Sequence, residues 1–144
     1  MTRTKVFVAV GLVAAVIVTV CIVFVVAKRP SDCDTVRSMI DHNNQFNEHV
    51  ESATAAAVEV DISEFLEWAS QLDHLARQVQ DPALAEQTGR LANLAHKHVG
   101  VVEQFRAAPA PDENSAAPQW AKDFSRFGQQ FNTTLATLVQ SCPA

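Results

Sequence analysis

The stretch DISEFLEWASQLDHLARQVQDPALAEQTGRLANLAHKHV, residues 61–99, decides the fold class. Asp61 followed by Glu64 is a capping box, in which each side chain reaches the other residue's backbone N–H at a helix start. Ile62, Phe65, Ala69, Leu72, Ala76 and Val79 then alternate steps of three and four, which is one face of a helix. Leu66, Trp68 and Leu75 widen that face, so more than one neighbour must cover it. Asp81-Pro82 is a second start signal. Asp is a good N-cap, and proline's missing N–H has no partner in a first turn anyway. Leu84, Thr88, Leu91, Ala95, His98, Val102 and Phe105 carry the next stripe, with Leu94 and Val101 beside it. The pattern predicts helices over 62–80 and 82–107. One long helix kinked at Pro82 is the alternative.

Working outward, the chain before this stretch also has helical spacing. Asp32 and Asp34 suit a helix start, and Val36, Met39, Ile40, Asn43, Phe46 and Val50 recur on one side. A helix over 32–53 is predicted, fading in the run 53–57. After the stretch, AAPAPDENSAAP (107–118) is rich in proline and small residues, so 108–117 reads as a loop. A fourth helix over 118–141 carries Trp120, Phe124, Phe127, Phe131, Leu135, Leu138 and Cys142. The repeat of eleven residues in this set is close to the natural period of an untwisted helix. Four amphipathic helices within 32–142 predict an all-α domain, read as an antiparallel four-helix bundle. An orthogonal packing, or a hairpin that completes its core by oligomerising, also fits the pattern.

Cys33 and Cys142 fall at the start of the first helix and the end of the fourth. An up-down-up-down bundle brings those two points to the same end, so a disulfide between them is expected. The competing readings are two separate buried thiols and a bond between chains. Disulfides persist outside the cytoplasm. A bond would therefore place the bundle on the extracytoplasmic side.

Residues 6–27, VFVAVGLVAAVIVTVCIVFVVA, form an uncharged apolar run. As a helix its 22 residues would extend about 33 Å, enough for a hydrocarbon core of about 30 Å. The expected organisation is a short cytoplasmic segment 1–5, a transmembrane signal-anchor helix 6–27, a juxtamembrane linker 28–31 and the helical domain. A cleaved signal peptide is the alternative, though the run exceeds the usual apolar region of such signals. Arg3 and Lys5 precede the run and Lys28 and Arg29 follow it, so the flanking charges barely set an orientation.

All 16 acidic residues lie within 31–144, against seven basic ones there, giving that segment a net charge of −9. Nucleic acid is excluded as a partner, because it requires a basic footprint. The chain has no Tyr, few Lys and much Ala and Val. In these respects its composition resembles small single-pass envelope proteins of high-GC actinobacteria. The resemblance implies a bacterial envelope protein and carries no functional residue with it.

The five histidines match no ligand pattern, and HExxH, Glu-x-x-His, CxxC and phosphate-cradling glycine loops do not occur. No enzyme activity, metal or cofactor is expected. His98 differs from the other four because it falls on an apolar stripe. It is read as a satisfied core histidine or as a pH-sensitive element. The leading expectation is a membrane-anchored interaction or scaffold module. It would touch the bilayer through 6–27 and a protein partner through the bundle, with Trp68 as the partner-contact residue and a homodimer as one form of assembly. The alternative is a ligand-binding or sensing bundle whose cavity is lined by His98, Phe124, Phe127 and Phe131.

Overall fold

A computed structural model describes residues 30–109 and 116–143. These residues are all-helical, with four helices and no strand among them: α1 (Asp32–Ala55), α2 (Ile62–Ala76), α3 (Pro82–Ala107) and α4 (Gln119–Ser141). The expected span 6–27 lies outside the described residues. No helix within them is long and apolar enough to cross a membrane.

Local chemistry sets the boundaries. At α2, the Asp61 carboxylate accepts from the Ser63 N–H at 2.8 Å and the Ser63 hydroxyl at 2.6 Å, while Glu64 accepts from the Asp61 N–H at 3.0 Å. These bonds complete the capping box. At α3, Asp81 Oδ1 accepts from the Ala83 and Leu84 N–H groups, each at 3.0 Å, and Pro82 occupies the first turn. The helices α2 and α3 are thus separate. The first of them stops at Ala76, short of the expected Gln80, because residues 77–79 tighten into bonds back to Asp73, Leu75 and Ala76. The next two amides leave the helix altogether: Gln80 and Asp81 donate to the Asp32 carboxylate of α1 at 3.1 and 2.7 Å. Val79 nevertheless stays buried, so its side chain follows the stripe although its backbone has left the helix.

The helices alternate in direction. The start of α1 meets the end of α2 through Asp32. Near the other end, His49 of α1 reaches Glu64 of α2 at 2.7 Å. Arg106 at the end of α3 donates to the Val60 carbonyl just before α2 and pairs with Glu59 at 3.2 Å. Phe105 near the end of α3 meets Trp120 near the start of α4, with ring centroids 5.0 Å apart. The α3 helix packs extensively on both α2 and α4, and among adjacent helices α1 and α4 touch least. The core comprises Val36 and Met39 from α1, Ala69 and Leu72 from α2, Leu91 and Ala95 from α3, and Leu138 from α4. Cys33 and Cys142 are joined in a disulfide with Cα atoms 5.2 Å apart, which fastens α1 to α4 across that lightest seam.

Candidate functional site

Aromatic rings cross the bundle in a connected series. Phe46 of α1 stacks on Trp68 of α2 at 5.0 Å and meets Phe65 edge-on at 5.2 Å. Trp68 lies 5.7 Å from Phe131 of α4. His98 of α3 stands edge-to-face to Phe124 at 5.2 Å and to Phe131 at 6.1 Å. These six rings partly enclose a cavity of about 320 Å³. Asn47 and Asn132 are its other polar wall residues. Among the described residues lining it, none carries a fixed charge.

Two wall residues hold buried nitrogens with no protein partner: Trp68 Nε1 and His98 Nδ1. An indole N–H can only donate, and burying it unpaired costs about 1–3 kcal/mol. Burial also pushes the His98 imidazole below its ordinary pKa. The Leu94 carbonyl one turn back opposes that shift without making a well-formed bond to Nδ1. His98 is therefore neutral at pH 7.

The expected site residues take different places. His98, Phe124 and Phe131 line the cavity. Phe127 does not; it is half-buried against the core, and Arg126 and Lys97 lie over its ring at 4.8 Å and 5.6 Å. Trp68, expected as a partner contact, is 7% exposed and forms part of the cavity wall and the core. Phe46 and Phe65 complete the site from α1 and α2. Their stripes were visible in the sequence, but nothing local says which stripes surround a gap.

A second concavity lies at the end of the bundle away from the disulfide. It is an open groove of about 810 Å³, with Val58, Phe65, Phe105 and Trp120 on its walls and Arg106 on its edge. Val58 and Phe105 are 61% and 57% exposed. Val50, Phe65 and Val102 line both the groove and the inner cavity, so the two spaces adjoin.

The remaining histidines have other roles or none visible. His42 Nε2 lies 3.3 Å from the Trp68 carbonyl, and His49 is paired with Glu64. No group of three or more His, Cys, Asp or Glu side chains among the described residues could hold a metal ion. No known protein family, curated protein or solved structure matches this chain.

Proposed function

We propose that this chain is an extracytoplasmic interaction module, anchored in a membrane by residues 6–27 with residues 1–5 in the cytoplasm. The observation that carries the reading is the open groove at the unclipped end. Isolated exposed apolar residues are ordinary, but Val58 and Phe105 stand at one groove together with Trp120. Aromatic side chains at such a site are the usual anchors of a protein interface. The disulfide supports an oxidising compartment. The acidic surface argues for a protein partner and against a nucleic acid.

The test is cross-linking of the full-length protein in its native membrane, at native expression. Val58→Asp and Phe105→Asp place a charge in the groove at positions already exposed, so the fold should keep its melting temperature. A partner recovered with the wild type and lost with both variants supports the reading. Recovery of no partner, or of the same partner with either variant, counts against it.

A further inference from the structure

We propose that the inner cavity is a binding site for a neutral, largely aromatic small molecule of about two fused rings, carrying one hydrogen-bond acceptor. This site adjoins the partner groove through Val50, Phe65 and Val102, but its argument does not depend on the reading of that groove.

The size of the ligand follows from the volume. A cavity of about 320 Å³ is at the small end of ligand pockets, which run from about 300 to 1,000 Å³. The aromatic character follows from the walls: Phe46, Phe65, Trp68, Phe124 and Phe131 offer ring faces and edges, which favour a flat partner by offset or edge contact. The absence of net charge on the ligand follows from what the walls lack. Asn47, Asn132 and His98 are the polar wall residues, and no Lys, Arg, Asp or Glu is among the described residues lining the cavity. A carboxylate or ammonium placed here would lose its hydration with no countercharge. The acceptor follows from Trp68. Its residue is 93% buried, taking the complement of its 7% exposure, and its N–H has no protein partner. A carbonyl or hydroxyl oxygen on the ligand would satisfy that N–H. His98 Nδ1 offers a second, less exacting contact, since neutral imidazole can donate or accept there according to its tautomer.

Gly128 provides a way to close the site without dismantling the bundle. It lines the cavity, and a Cβ built on it would meet only the His98 ring, at 3.7 and 3.9 Å, which is ordinary contact. A side chain at 128 therefore has room to grow among the rings. Replacing a mid-helix glycine also favours the helix, by about 1 kcal/mol for alanine. Loss of binding and loss of fold should thus separate.

The experiment uses the full-length protein in lipid nanodiscs, with empty nanodiscs as the control for partition into lipid. The probes are 2-naphthamide and 2-naphthoate, which share a frame and differ in charge. Ligand-observed NMR titration should show saturable binding of the amide, with the carboxylate weaker by about tenfold or more, the scale set by burying an unpaired charge. Gly128→Leu should weaken the amide about tenfold by filling the space it occupies, with the melting temperature held or raised. Trp68→Phe keeps an aromatic wall and removes the N–H. It should weaken the amide by about threefold to tenfold, the worth of one hydrogen bond. The proposal is overturned if the amide does not saturate beyond the empty nanodiscs, which would leave the cavity to water. It is equally overturned if the carboxylate binds as well as the amide, or if Gly128→Leu folds and binds unchanged. Should Gly128→Leu fail to fold, Trp68→Phe decides: full affinity there removes the hydrogen-bonding role on which the proposal stands.

Discussion

Ala57 has φ of 54°, in the left-handed region that favours glycine, and it closes α1. The Val58 N–H bonds back to the Ala53 carbonyl at 2.9 Å and the Ala57 N–H to Thr54 at 3.1 Å, which is the Schellman arrangement. An L-residue there crowds its own Cβ against the backbone. Ala57→Gly should therefore stabilise the protein by about 1 kcal/mol, the usual cost of that crowding. Urea denaturation would show a higher midpoint with an unchanged slope. His98 gives a second expectation at this scale. Its pKa lies below the ordinary 6.5 because burial disfavours the charged ring. The unfolded chain therefore takes up a proton at a pH where the folded chain does not, and proton uptake by the unfolded state opposes folding. The contribution of neutral His98 is fully present above pH 6.5 and is lost as pH falls below it towards the folded pKa. Denaturation at pH 7.5 and at pH 5.5 should differ for the wild type, and His98→Phe should reduce that difference. An undiminished difference in the variant would assign the effect to other groups.

At the scale of single elements, the joint between α2 and α3 rests on a residue from a third helix. Asp32 accepts both the Gln80 and Asp81 N–H groups, which α2 has released and α3 has not taken up. Charge-assisted bonds of this kind are stronger than neutral ones. Asp32→Ala should cost about 1–3 kcal/mol and speed hydrogen exchange at the Gln80 and Asp81 amides specifically. Asp32→Asn should recover part of the loss, because one oxygen remains to accept. The same joint shows how far the sequence could be read. Asp61, Glu64, Asp81 and Pro82 act within one turn of themselves, so their spacing states their roles directly. The stripes of the four helices are equally legible, because periodicity is a local property. The end of α1 is legible, since the fade read in 53–57 contains its last residue Ala55, but the left-handed cap at Ala57 is not, because no glycine marks it. The help from Asp32 is not legible, since it depends on how α1 lies against the joint. The cavity was half legible for the same reason. His98, Phe124 and Phe131 were marked by their stripes, but Phe127 was marked equally. Three residues turn a helix by about 300°, which swings Phe127 roughly 60° away from Phe124 and towards Lys97 and Arg126. The stripe of α4 also reads as uniform, yet it is buried unevenly. Phe131, Leu138 and Cys142 are sealed in the core, while Phe124 is 51% exposed. Sequence periodicity gives the direction of a face, and only the packing of neighbours decides how deeply it is covered.

At the scale of the whole molecule, the two ends of the bundle are held in different ways. The Cys33–Cys142 bond closes one end across the α1–α4 seam, which is otherwise the lightest contact among neighbouring helices. The other end has no such clip. There Arg106 ties α3 to the Glu59-Val60 connection, and the apolar side chains Val58 and Phe105 remain in the open. Most of the stabilising contact runs through α2–α3–α4. The disulfide, with a sequence separation of 109, closes nearly the whole helical unit into one loop. In the chain-entropy account, a loop of this length contributes up to about 4–5 kcal/mol, mostly by restricting the unfolded chain. Reduction, or the Cys33→Ser/Cys142→Ser pair, should therefore lower the unfolding free energy by an amount approaching that figure. It should also act unevenly. The amides of α1 should exchange sooner than those of α3, because α1 has only the α2 contact left to hold it firmly. Uniform loss of protection across all four helices would mean that the bond supports the unit as a whole and does not guard one seam. Non-reducing peptide mapping of protein extracted from membranes addresses the compartment as well. Cys33 and Cys142 recovered as a joined pair fit a bundle held outside the cytoplasm. The same residues recovered as free thiols would remove the bond and, with it, the chief physical reason to place the bundle on that side.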